Sequence, residues 1–191
     1  MTTKQKSLAG AAALAACAAG WLGYAALFRT EALAPLAADG TATVESPPAP
    51  ARKIKARLFY VAPDGRGLVS VEREVPFGEG TAAQAQAIVE AQIAPVGDPL
   101  LSAVPPGTAL RSVFITERGD AYVDLSGEAA SAHPGGTLNE LLTVYTIVNA
   151  VTTNLPAVSG VQILVGGREV DTLAGHVDLR RPLTRDLSWV Q

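Results

Sequence analysis

From residue 54 onward, apolar and polar positions alternate in ways that mark successive elements. In "KIKARLFYV" Ile54, Ala56, Leu58 and Tyr60 share one face and Lys55 and Arg57 the other, the period of a half-buried strand. "APDGRG" has turn composition. Val69, Val71, Arg73 and Val75 then alternate with Ser70, Glu72 and Glu74, so the two runs read as a hairpin. Arg73 falls on the apolar face, where it needs a carboxylate or carbonyl partner. In "GEGTAAQAQAIVEAQIAPVGDP" Ala85, Ile88, Val89 and Ile93 follow helical spacing. Thr81 and Gln84 read as a capping box, and Pro95 and Gly97 stop the helix.

After a "SAVPPGT" loop come strands in "ALRSVFIT" and "AYVDLS", joined by an "ERGD" turn. "HPGGTLNELLTVYTIVNAVTTNLP" predicts a second helix with a Thr137/Glu140 capping box. Leu138, Leu141, Leu142, Tyr145, Val148, Val151 and Leu155 track one face. Its β-branched residues lower helix propensity, so it depends on tertiary packing. "VQILVGGREVDTL" reads as two strands around a Gly-Gly type I′ turn, in which both central residues need positive φ. The order ββαββαββ gives an α+β domain over residues 54–191, a mostly antiparallel sheet with two helices on one face.

The N-terminal pattern differs. Residues 8–28 run 21 positions without a charge, after Lys4 and Lys6. As a helix this stretch spans roughly 30 Å, a bilayer's hydrocarbon thickness. Lysines before the span keep residues 1–7 cytoplasmic and place residues 29–191 outside. Three fates are open: an uncleaved single-pass anchor, which is the leading expectation; lipidation at Cys17, because "LAAC" resembles a lipobox; and cleavage as a signal peptide. Residues 29–53, rich in Ala and Pro, read as a disordered linker.

Composition narrows the function. The net charge of −3 in 191 residues, with no basic block, gives no argument for nucleic acid. A single Cys excludes an internal disulfide, and two His without ligand spacing give no metal site. No cofactor motif is present. The stretch "VQILVGGREVDTLAGHVDLRRPL" (161–183) gathers Asp171, His176 and Asp178. These sit where strands and turns need polar groups, so no catalytic residue is expected. A Ser126–His133–Asp124 triad can be drawn, but Ser126 lacks a G-x-S-x-G elbow. Asp124, Asp171 and Asp178 could serve as paired carboxylates, yet all lie at turns or strand ends. Arg73, Asp124, His176 and Asp178 are therefore expected in structural ion pairs or hydrogen-bond networks. The "PPGT" loop and the Gly135-Gly136 amides read as a rigid turn and a helix start.

Several phrases in order resemble the GerMN domain family: "LFYVAPDGRGLVSVEREV", "VPPGTALRSV", "AYVDLSGE", "LNELLTVYTIVNAVTTNLPAVSGVQILVGG" and "LAGHVDLRRPL". The resemblance covers about residues 54–185. It implies an exported, membrane-tethered domain, often lipidated, with no established catalytic activity, similar in fold to small ring-building modules. In spore formers it implies an assembly between two membranes. The family's namesake carries tandem copies, and this chain has room for one.

The resulting expectation is a non-enzymatic module of the cell envelope, facing the periplasm and docking a protein partner or a second copy. Arg111, Arg118, Arg168 and Arg180 are the expected interface residues, since Arg is favoured at interfaces. The alternatives are a peptidoglycan-binding module using Phe59, Phe77, Tyr122 and Trp189 as aromatic platforms, and an envelope hydrolase.

Overall fold

The computed structural model describes residues 52–191. The anchor or signal segment, the linker to residue 51 and Cys17 lie outside the described residues. Strands β1 (Lys53–Val61) and β2 (Leu68–Pro76) form the expected antiparallel hairpin. Helix α1 (Thr81–Ile93) follows, then β3 (Leu110–Ile115) and β4 (Asp120–Leu125). A short helix α2 (Glu128–Ser131), not expected from the pattern, leads into α3 (Thr137–Asn154). Strands β5 (Gly160–Val165) and β6 (Arg168–Glu169) end the regular structure.

The strands make two sheets, where the pattern predicts one. β1 and β2 stand alone as a pair, and a second sheet has the order β3-β4-β5-β6. The reason lies on β1's outer edge. Gln92 of α1 accepts the Phe59 N–H at 2.8 Å and donates to the Phe59 carbonyl at 2.7 Å. Asn154 of α3 makes the same two-way bond with Arg57, both at 2.8 Å. Thr146 donates to the Phe59 carbonyl, and Val61 N–H donates to the Leu101 carbonyl. Helix side chains thus occupy the groups another strand would use. The helices accordingly contact both sheets, α1 touching β1, β2 and β3, and α3 touching β1 and β5.

Three of the four strand pairings are antiparallel; β4 and β5 run parallel, with α3 as part of the crossover between them. The Gly166-Gly167 turn has φ of 61° and 79°, as a type I′ turn requires. Beyond it, the second strand expected in "REVDTL" stops after two residues.

The core gathers Leu58, Phe59 and Tyr60 of β1, Ile88 of α1, Leu125 of β4, Ile147 of α3 and Ile163 of β5. α3 is buried nearly all round from Leu142 to Thr152, where the pattern predicts one apolar face. Lying between two sheets, it must be apolar on more than one side. Leu138, counted on that face, is 37% exposed. Neither helix has a side-chain cap: the N-cap residues are Gly80 and Gly136. Gln84 instead accepts from the Gly78 N–H and donates to the Pro76 carbonyl, tying α1 to the end of β2.

Candidate interaction surfaces

Polar residues on α3 recur every three positions, at Glu140, Thr143, Thr146 and Asn149, and all are buried. Glu140 is fully buried and does not turn back to its own N-terminus. Its carboxylate accepts the backbone N–H groups of Leu173 at 2.8 Å, Ala174 at 2.9 Å and His176 at 2.8 Å. The His176 ring Nδ1 lies 3.2 Å from the same carboxylate. Burial by itself would raise the Glu140 pKa. The backbone donors Ala174, His176, Leu173 and Val177 outweigh it and hold the pKa below the ordinary value of 4.5. The backbone donors gathered on one carboxylate explain why β6 is short: the chain after Glu169 is drawn to α3 rather than along β5.

The groups of the "GHVD" bend are therefore separated by role. His176 belongs to the Glu140 latch. Asp178 is exposed and closed on Arg180, with Arg180 Nε to Oδ1 at 2.9 Å and Nη2 to Oδ2 at 2.7 Å. That guanidinium holds the Asp178 carboxyl well below the usual range. Asp171 lines a shallow cavity of about 180 Å³ with His176, Asp178 and Arg180, and its backbone carbonyl accepts the Leu179 N–H.

Asp124 is buried on β4, where it accepts Arg111 Nε at 2.9 Å and the Gly167 N–H at 2.8 Å. It joins β3, β4 and the β5–β6 turn. Ser126 accepts the Ala109 N–H, and His133 takes the Gly135 N–H on Nδ1 while Nε2 faces Thr143. The three members of the drawn triad thus have separate partners and do not converge. Among the described residues no group of three or more His, Cys, Asp or Glu side chains could hold a metal ion. Arg73 departs from expectation: it is exposed, and its partner is the Tyr60 hydroxyl at 3.1 Å instead of a carboxylate or carbonyl. β2 is the outer strand of its sheet, so its apolar face is covered at Val75 and only partly at Val69 and Val71.

The four arginines do not form one patch. Arg111 lies near the β5–β6 turn beside Gly167, next in sequence to Arg168. Arg118 sits in the β3–β4 turn at the other end of that hairpin, 84% exposed at its side chain and only 3.9 Å from Asp120. Arg180 is committed to Asp178.

Of the aromatic platforms, Phe59 is buried, because the second half of β1 is covered on both faces. Phe77 is 37% exposed, with the Arg52 guanidinium 4.0 Å from its ring centre. Tyr122 and Trp189 are half-buried. The residue missed is Phe114, 62% exposed and in register with Tyr122 across β3 and β4. Its signal was alternation: Val113 and Ile115 face the core, so Phe114 must face outward. The "PPGT" loop is a turn, with Thr108 Oγ1 donating to the Pro105 carbonyl, and it lines an apolar cavity of about 410 Å³ with Ile93, Val96 and Val104.

Known proteins resemble this arrangement. A chain from Clostridium perfringens described as a proposed lipoprotein is 24% identical, covers 69% of this chain and 87% of its own, and superposes with a TM-score of 0.49. The first GerMN domain of the sporulation protein GerM from Bacillus subtilis is 18% identical, with 69% and 98% covered and a TM-score of 0.52. The tandem GerMN domains of the same protein give 18% identity, 72% and 46% covered, and a TM-score of 0.51. This chain thus spans about half of the tandem structure. A comparison with curated protein sequences found no match. The two GerM likenesses show a shared fold. The Germane family, described as "Sporulation and spore germination", matches residues 57–171, from the middle of β1 to the Glu140-latched loop. The chain belongs to the Germane family, and residues 52–191 form a GerMN-like domain.

Proposed function

We propose that this protein is a non-catalytic domain of the cell envelope, held at the membrane by its N-terminal apolar segment and acting by docking to proteins. One observation carries the reading. Glu140, His176, Asp124, Ser126 and His133, which could have served acid–base or nucleophilic chemistry, are engaged in holding elements together. Glu140 and His176 latch a loop, Asp124 ties β3 and β4 to the β5–β6 turn, and His133 bonds through both ring nitrogens. Catalysis needs a nucleophile, a base and an orienting group within reach of one another. Family membership supports an envelope setting. No helix among the described residues is long and apolar enough to cross a membrane. The charge-free run of residues 8–28 supplies the tether in this reading.

Crosslinking of the full chain in cells, followed by mass spectrometry, tests this reading. The expected result is crosslinks from the folded domain to envelope proteins or to a second copy. A strictly monomeric chain with no crosslinked envelope partner would sink it. A second reading, binding of cell-wall glycan, is favoured by the exposed Phe114 beside Tyr122, since an aromatic face can stack on an apolar sugar face. Retention on purified peptidoglycan that is lost in Phe114→Ala would support it.

A further inference from the structure

The β1–β2 hairpin has one closed edge and one open edge. Arg57, Phe59 and Val61 direct their backbone groups away from β2, to Asn154, Gln92 and Leu101. Their cross-strand partners are Glu72, Ser70 and Leu68, so these are non-hydrogen-bonded pairs of the ladder. By the same alternation Leu68, Ser70, Glu72 and Glu74 point their N–H and C=O groups away from β1. At Leu68 the outward groups are used: its N–H donates to the Trp189 carbonyl at 2.7 Å, and its carbonyl accepts the Gln191 N–H at 2.9 Å. At Ser70, Glu72 and Glu74 no backbone partner occurs among the described residues, and all three are exposed.

We infer that this edge of β2 accepts an extended segment of a partner protein, one that alternates basic and apolar residues. The inference rests on the protein-docking reading above and names the partner's chemistry. An added strand presents its side chains on the same two faces as β2. One face carries Glu72 and Glu74, the latter 3.3 Å from the Lys53 ammonium. The other carries the half-exposed Val69 and Val71, followed by the exposed Arg73. The matching segment therefore sets Lys or Arg beside the two glutamates and apolar side chains beside the valines. β1 already shows that pattern on the opposite side, with Lys55 across from Glu74 and Arg57 across from Glu72.

Two other occupants fit poorly. Antiparallel pairing with β2 of a second copy brings Glu72 and Glu74 near their own equivalents, and like charges across a pair repel. Residues 29–51 of this chain carry Glu31, Asp39 and Glu45 against Arg29 alone, with prolines at 35, 47, 48 and 50. That composition opposes both the charge and the ladder.

The test uses the full-length chain in detergent micelles and a fluorescently labelled peptide, KIKARLF, copied from residues 53–59. Fluorescence anisotropy should show saturable binding that weakens with salt. The control peptide EIEAELF should bind at least about tenfold more weakly. Glu72→Pro removes an outward N–H without touching the β1–β2 ladder, and should weaken KIKARLF binding by about tenfold or more. The double variant Glu72→Lys, Glu74→Lys keeps the test valid should the proline disturb folding; it should reverse the preference between the peptides. Equal binding of both peptides, unchanged binding by both variants, or no saturable binding up to about 1 mM peptide would overturn the inference. Envelope crosslinks in cells without peptide binding would mean that the edge inference fails alone. Peptide binding without crosslinks would mean that the docking reading of the whole protein fails while the edge chemistry stands.

Discussion

Glu140 holds the C-terminal loop through a buried charge whose donors are nearly all backbone N–H groups. Replacing it with Gln keeps the shape but turns an NH₂ group toward donors, and should cost about 2 kcal/mol, read as a shift in urea midpoint at pH 7. Because its folded pKa lies below the ordinary value of 4.5, its contribution is complete above that pH and is lost as the pH falls through the folded value. The stability gap between wild type and Glu140→Gln should therefore narrow on acidification below about pH 4.5. Thr153 is the opposite case: its hydroxyl is buried without a hydrogen-bond partner among the described residues. Thr153→Val, of nearly equal volume, should raise stability by about 1 kcal/mol, visible as a higher Tm. The sequence pattern placed Glu140 in a capping box with Thr137, and Thr143, Thr146 and Asn149 on a helix read only for its apolar face. What each would bond was not legible, because the partners lie 33 or more residues away for Glu140 and 87 for Thr146.

Elements are held by backbone-directed side chains as much as by apolar contact. Gln92 satisfies both Phe59 backbone groups, so Gln92→Leu should cost about 2 kcal/mol although it adds apolar surface, measured by denaturant unfolding. The β3–β4 turn depends on Gly119, with φ of 87° and space for a Cβ closed by the Ala157 carbonyl at 2.6 Å. Gly119→Ala should destabilise the domain by about 2 kcal/mol or more, through both strain and the displaced loop before β5. Strands and helices were readable because periods of 2 and 3.6 leave a local trace. The premature end of β6 was not, since local alternation in "REVDTL" favours a longer strand and only Glu140, distant in sequence, diverts it.

For the molecule as a whole, the two helices join a hairpin and a four-stranded sheet that share no strand pairing. Hydrogen exchange should therefore show the amides of Leu58 and Tyr60 opening with the same free energy as those of Val123 and Ile163. In Gln92→Leu the hairpin should open first, because one of its ties to α1 is gone. The sequence by itself determined the order of the long helices and the strands, the Gly-Gly turn, the α+β class and the family resemblance, since these depend on short-range period, turn chemistry and phrase order. Only the tertiary structure decided that the strands divide into two sheets and that β4 and β5 run parallel. It also decided that "GHVD" belongs partly to a latch on α3 and partly to a surface ion pair. Those outcomes follow from which distant group satisfies each buried donor, acceptor or charge, a competition that is resolved only when the chain is packed.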